Sequence, residues 1–264
     1  MRGHINGTLL GWDETGEGEV VLLIHGIAES RQSWLYQVEP FSRRYRVVAC
    51  DLRGFGVSNT GEATGTLAQY AADVFELLAR LDVKEARVVG FSMGGVIAQR
   101  FAIDHPEVTR AVVIAASSSV VGHRAAKHYL DRAELARARG GDAIREVSLE
   151  DARACFAFSP PEIVDAYCEV RRAAIQDPLG FANACETMAS LRDRPLTEDL
   201  RGIRAPTLVI TGERDAFCPP VASEIMHNKI RRSTLQIVPA AGHCLHWEDA
   251  GGFNHRVLDF LASA

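Results

Sequence analysis

Ala86-Arg87-Val88-Val89-Gly90-Phe91-Ser92-Met93-Gly94-Gly95-Val96-Ile97-Ala98 is the stretch that decides the fold. Its first half is a short apolar run of the kind that forms a buried strand, and a helix is expected from about Gly94 to Ala102. Between them, Gly90-Phe91-Ser92-Met93-Gly94 fits the pattern Gly-x-Ser-x-Gly. A strand that reverses into a helix this tightly forces the central residue into a strained backbone conformation. Side chains two positions to either side would collide with the strand or the helix, which is why glycine is needed there. Ser92 is therefore the candidate nucleophile.

Further out, Val20 to Ile24, Tyr45 to Ala49, Val112 to Ala115, Thr207 to Ile210 and Thr234 to Val238 repeat the same kind of apolar run. With Ala86 to Gly90 they predict at least six parallel strands in an α/β architecture with helices on both faces. Leu67, Tyr70, Ala71, Val74, Leu77, Leu78 and Leu81 keep helical spacing and predict one of those covering helices. Ile5 to Trp12 and the turn at Gly16-Glu17-Gly18 predict a hairpin that extends the sheet in antiparallel fashion. From about Val120 to Leu200 the strand signal stops, and charged helical stretches are broken at Pro160-Pro161, Pro178 and Pro195. The expected organisation is a core domain of residues 1–119 and 201–264, with residues 120–200 inserted after the sixth strand as a helical lid.

A serine hydroxyl is a weak nucleophile until a base takes its proton, and the base must itself be oriented. Thr211-Gly212-Glu213-Arg214-Asp215 follows one predicted strand and places a carboxylate at the carboxyl edge of the sheet, where ligands bind in open α/β folds. Asp215 is the candidate acid and Glu213 its rival; no carboxylate follows Ile114 in Ala115 to Ser119. Pro239-Ala240-Ala241-Gly242-His243 follows the last predicted strand and precedes a helix expected over Gly252 to Leu261. His243 is the candidate base. His246, three residues on, is its rival and is expected to face pocket or solvent. The negative oxygen formed on attack needs hydrogen-bond donors. The backbone N–H of Met93, at a helix start, and that of Ile27, after His25-Gly26, can supply them. His25 is expected to be structural or to border the pocket, and Trp34, Phe91, Phe156, Phe158 and Trp247 are the other candidate pocket residues.

The chain has 264 residues, 47% of them hydrophobic, enough for a sizeable single core. A formal charge of -5 offers no broad basic field, so nucleic acid is not an expected partner. Met1 to Asn6 lacks the apolar run of a signal peptide and no stretch is long enough to span a bilayer, so a cytoplasmic location without membrane partners is expected. Arg124, Lys127, Arg132, Arg137, Arg139 and Arg145 alternate with acidic residues as a solvated helix face. There is no compact His/Cys/carboxylate cluster, GxGxxG or P-loop, and neither metal nor cofactor is expected. The six cysteines lack CxxC spacing and are expected to be free thiols. Cys218 and Cys244, each close to a candidate catalytic residue, form a possible redox-sensitive pair.

The order strand-His25-Gly26, then Asp51-Leu52-Arg53-Gly54-Phe55-Gly56-Val57-Ser58, then Gly90 to Gly95, Gly212 to Asp215 and Gly242-His243 resembles the α/β-hydrolase superfamily. The resemblance covers almost the whole chain outside the lid. It implies a Ser92, Asp215, His243 triad with an oxyanion hole at Ile27 and Met93. Serine rather than aspartate at 92 resembles the esterase and lactonase branches. Gly242 to Glu248 with Phe253-Asn254 looks like the meta-cleavage carbon-carbon bond hydrolases, but Ile27-Ala28-Glu29-Ser30 departs from their Ser-Gly-Pro-Gly-like loop. Asp177 to Ala182 and Leu200 to Ile203 are similar to 3-oxoadipate enol-lactonases and small carboxylesterases. A small-molecule ester or lactone is the expected substrate, taken by a monomer or homodimer. Carbon-carbon bond cleavage is the alternative, and a ligand-binding protein on a hydrolase scaffold the second.

Overall fold

The computed structural model describes residues 1–264. The chain opens with a hairpin of β1 (Arg2–Ile5) and β2 (Thr8–Thr15). Its turn is Asn6-Gly7, with φ +45° and +74°. Two positive φ values are what a tight hairpin turn matched to strand twist requires, and asparagine and glycine are the residues that reach them. The chain then alternates: β3 (Val20–Ile24), α1 (Leu35–Ser42), β4 (Arg46–Cys50), α2 (Leu67–Arg80), β5 (Ala86–Phe91), α3 (Met93–Asp104) and β6 (Thr109–Ala115). Three inserted helices follow, α4 (His123–Ala154), α5 (Pro161–Ala174) and α6 (Pro178–Ser190). The alternation resumes with β7 (Thr207–Gly212), α7 (Pro220–Lys229), β8 (Ser233–Val238), a single turn α8 (Leu245–Glu248) and α9 (Ala250–Ser263).

The eight strands form one sheet in the order β1-β2-β4-β3-β5-β6-β7-β8. The six strands β3 to β8 run parallel, and β2 joins β4 antiparallel. The parallel series and the antiparallel extension are as expected, but the hairpin turns at Asn6-Gly7 and not at Gly16-Glu17-Gly18, which leads instead to β3, two places away from β2 in the sheet. Successive residues of the central strands feed opposite faces. Leu22, Val88 and Val112 join one apolar cluster, while Leu23, Val89 and Val113 join the other. A parallel sheet covered on both faces needs such unbroken apolar strands. Helix α2 lays Leu67, Tyr70, Ala71, Val74, Leu77 and Leu78 on the sheet, and the Thr66 hydroxyl caps it through Gln69 N–H.

The inserted helices occupy the stretch expected between the sixth and seventh strands. Pro161 and Pro178 each begin a helix, where a missing N–H costs nothing. Gly140 (φ +74°, ψ −165°) breaks α4 within its length, a break that the charged pattern did not reveal. These helices do not build a core of their own. Ala133, Ile144, Phe181, Ala182 and Met188 belong to the same cluster as Leu22 and Val88, whereas Ala152, Cys155 and Tyr167 join the cluster on the other face. The last helix begins two residues before the expected Gly252, because the Asp249 side chain caps it through Gly252 N–H. No helix is long and apolar enough to cross a membrane.

Candidate active site

At the carboxyl end of β5, Ser92 has φ +52° and ψ −117°, a conformation that an L-residue adopts only under constraint. The constraint is close packing. A Cβ on Gly90 would lie 2.2 Å from Gly94 O, and one on Gly94 would lie 2.1 Å from Ile24 O. The backbone is fastened on both sides: Ser92 N–H donates to Ala115 O at 2.9 Å and Ser117 Oγ donates to Ser92 O at 2.8 Å.

His243 reaches this hydroxyl from the loop after β8, with Nε2 3.1 Å from Ser92 Oγ. Its Nδ1 lies 2.8 Å from Asp215 Oδ2. Asp215 is buried, and its other oxygen accepts Phe217 N–H at 2.9 Å and Cys218 N–H at 2.8 Å. Those two bonds hold the carboxylate aimed at the imidazole. Close approach of the two loops again depends on glycine, since a Cβ on Gly212 would lie 2.2 Å from Gly242 O. Burial disfavours the imidazolium most strongly, but the charge and hydrogen bond of Asp215 outweigh it and lift His243 to about 9.

The rivals lie elsewhere. Glu213 accepts the Ala240 N–H at 3.0 Å, an exposed loop contact. His246, expected to face pocket or solvent, faces neither. It is fully buried among Phe91, Trp34 and Phe253, at ring-centre distances of 4.2, 5.2 and 6.0 Å, and burial lowers its pKa to about 4. A neutral imidazole on the far side of Phe91 makes no contact with the Ser92 hydroxyl.

A cavity of about 70 Å³ lies over Ser92 and His243. Ile27, Glu29 and Phe91 line it from the core, Phe217 and Cys218 from the loop of Asp215, and His128, Tyr129, Asp151, Cys155 and Arg171 from the inserted helices. Met93 is the first residue of α3, so its N–H has no acceptor within the helix. Both expected oxyanion donors thus belong to segments that border Ser92.

Of the candidate pocket residues, Phe91 lines the cavity. The other five do not, and each has a packing reason. His25 is buried beneath the first loop; Nδ1 donates to Gly26 O at 2.7 Å and Nε2 accepts Leu52 N–H at 2.9 Å, which fixes a neutral ring. Trp34 is wholly buried against His246 and Phe253. Phe156 packs edge-on to Tyr167, and Phe158 is exposed beneath the Arg214 guanidinium. Trp247 is buried, with Nε1 donating to Ser33 O at 2.8 Å.

Sequence reasoning missed the polar group on the other wall. Glu29 is fully buried; Oε2 accepts Gly26 N–H at 3.0 Å and Oε1 accepts the Tyr167 hydroxyl. Arg171, also buried, donates to Ser148 Oγ at 3.2 Å and to the Tyr167 hydroxyl at 3.4 Å, and stands 4.0 Å from Glu29. Glu29 therefore joins the loop that carries Ile27 to helix α5. The one available signal was the carboxylate in Ile27-Ala28-Glu29-Ser30, a loop that must lie beside the nucleophile, where an unpaired buried charge is costly.

A strained serine at a strand-to-helix turn, an imidazole and a buried carboxylate, in hydrogen-bonded series on a doubly covered parallel sheet, define a class of hydrolase. Residues 19–250 match the α/β-hydrolase fold family, and the chain belongs to it. Among curated relatives it is 29% identical to 3-oxoadipate enol-lactonase 2 of Acinetobacter baylyi, over 90% of this chain and 86% of that one. It is also 29% identical to the 2-hydroxy-6-oxononadienedioate/2-hydroxy-6-oxononatrienedioate hydrolase of a Pseudomonas species, over 98% and 94%. Among solved structures, the thermophilic esterase of Thermogutta terrifontis superposes with a TM-score of 0.89 at 28% identity, covering 100% of this chain and 98% of that one.

Proposed function

We propose that the protein is a serine hydrolase of small carboxylic esters or lactones that works through an acyl-enzyme. The observation that carries this reading is the unbroken series Ser92 Oγ, His243 Nε2, His243 Nδ1, Asp215 Oδ2, with steps of 3.1 and 2.8 Å. Ser92 Oγ attacks the carbonyl carbon while His243 Nε2 takes its proton. The carbonyl oxygen, now negative, is received by the N–H groups of Met93 and Ile27. Collapse of the tetrahedral species expels the alkoxide oxygen, which His243 protonates; in a lactone this opens the ring. Water then attacks the acyl carbon, gives its proton to His243 and releases the acid.

Two observations favour ester or lactone over carbon-carbon cleavage. Trp247, which carries much of the likeness to the meta-cleavage tail, is committed to packing against Ser33 and away from the cavity. The cavity is also small, about 70 Å³, against the several hundred typical of pockets for larger ligands, so a compact acyl group suits it.

Labelling with a fluorophosphonate followed by peptide mapping tests the reading. A single adduct on Ser92, much reduced in His243→Ala, is expected. Ser92→Ala should lose hydrolysis of small p-nitrophenyl esters and lactones by on the order of a millionfold; retention of more than about a tenth of the wild-type rate sinks the assignment. Turnover of a 2-hydroxy-6-oxo-dienoate with no ester turnover would favour the carbon-carbon reading. Folded protein with no adduct would favour a binding protein on this scaffold.

A further inference from the structure

All six cysteines are free thiols. Two of them meet beside the site just described, and they are not the pair suggested by position in the chain. Cys244 follows His243 directly, and its N–H donates to the carbonyl of Cys155, the residue that caps the end of α4, at 3.0 Å. A backbone hydrogen bond of that length keeps the two Cα atoms no more than roughly 7 Å apart, the outer reach of a disulfide. The Cys155 thiol itself donates to Asp151 O at 3.2 Å. Cys218, by contrast, is bound into the turn that presents Asp215.

The two segments are clamped together independently of the sulfurs. The Glu248 carboxylate accepts Ala157 N–H at 2.7 Å and Phe158 N–H at 2.8 Å with one oxygen, and Gly242 N–H at 2.5 Å with the other. Gly242 permits the approach, since a Cβ there would lie 2.7 Å from both Ala157 N and Cys155 O. Disulfide formation therefore joins groups already in place and does not have to recruit them.

The two thiols are unequal. Cys155, itself buried, lines the cavity that holds Ser92 and His243, which is the route by which a small solute would approach it. The neighbouring Cys244 thiol, with help from the nearby His243 and Arg171, holds its pKa below the ordinary 9.0 against the opposing effect of burial. Cys244 is wholly buried, and burial pushes its pKa well up. A thiolate-prone cysteine on a cavity wall next to a partner with no such outlet is the arrangement in which one sulfur reacts and the other resolves.

We propose that Cys155 and Cys244 are a peroxide-reactive pair that closes to a reversible disulfide between the inserted helices and the His243 loop. The Cys155 thiolate attacks one oxygen of hydrogen peroxide, the O–O bond breaks, and hydroxide leaves; the sulfur is now a sulfenic acid, and hydroxide takes up a proton to become water. Cys244 sulfur then attacks Cys155 sulfur, the S–O bond breaks, and the thiol proton leaves with the hydroxyl as a second water. Two thiols are oxidised by two electrons and one peroxide is reduced to two waters. A dithiol reductant reverses the change.

The test uses the full chain, treated with hydrogen peroxide, alkylated under denaturing conditions and digested with trypsin without reductant. Peptide 154–171 should appear joined to peptide 233–256, with fragmentation placing the link at Cys155 and not at Cys168, and dithiothreitol should abolish it. In Cys244→Ala, dimedone should trap a sulfenic acid at Cys155. If that variant does not fold, mapping of the wild-type cross-link decides alone. The proposal is overturned if both cysteines emerge alkylated, if Cys155 goes on to sulfinic acid while Cys244 stays a thiol, or if the link joins other cysteines.

Discussion

Asp215 sets the pH at which Ser92 has a base. The imidazole must be neutral to accept the serine proton, so hydrolysis rises with pH through the pKa of His243. Burial alone would lower that value, and Asp215 instead raises it to about 9. The acidic limb of kcat/KM is therefore expected above the ordinary 6.5, displaced towards 9. In Asp215→Asn the two largest raising influences vanish, burial stays and only the lesser ones of Cys155 and Glu29 remain, so the limb should fall well below its wild-type position and the plateau should drop by about 10⁴. A pH-rate profile of each protein with one p-nitrophenyl ester checks this; a limb that does not move in the variant removes Asp215 from the role. These residues were legible because each of the three follows a recognisable strand at the same sheet edge. The opposite wall was not, because Tyr129, Asp151 and Arg171 reach the cavity from helices whose charged pattern reads as solvated surface.

Elements are joined here at backbone distance, and that makes glycine decisive at a few positions. Helix α3 starts so close to β3 that a Cβ on Gly94 would lie 2.1 Å from Ile24 O, which is backbone and cannot swing aside. Gly94→Ala should destabilise the fold by about 3 kcal/mol or more. Gly251 in α9 has nothing within 4 Å of a built Cβ, and Gly251→Ala should stay within about 0.5 kcal/mol of wild type. Urea midpoints at equal slope compare the two, and similar shifts in both would show that the packing argument fails. The strand series and α2 were readable from period and apolar runs, because burial on one or both faces writes itself into composition; the hairpin was expected, but its turn at Asn6-Gly7 was not, because Ile5 to Trp12 reads as one stretch ahead of the glycines at 16 and 18. The break at Gly140 and the single turn of α8 were not. One depends on a lone positive φ in a polar helix, the other on Trp247 and Leu245 packing against distant segments.

Across the whole molecule, buried neutral histidines make the fold sensitive to acid in a definite window. Both ring nitrogens of His246 are buried without a hydrogen-bond partner, and its pKa is about 4 in the fold against 6.5 when exposed. The unfolded chain therefore binds the additional proton between those values. Stability is fully present above 6.5 and is lost as pH falls towards 4, by about 3 kcal/mol if His246 acts alone. His25 is shifted in the same direction by burial and adds to the loss. His243 has the opposite sign: its raised value contributes stability that is complete below 6.5 and is lost as pH rises through about 9. That contribution does not change between 4 and 6.5, so it cannot mask the acid slope. His246→Phe keeps a ring among Trp34, Phe91 and Phe253 and gives up no hydrogen bond, so the absolute stability of the variant matters less than its pH dependence. Urea unfolding at intervals from pH 4.5 to about 7 should give a clearly flatter slope in the variant than in wild type. Parallel slopes would mean that His246 is not the group being forced to charge, and the acid sensitivity would then belong to His25 and the carboxylates.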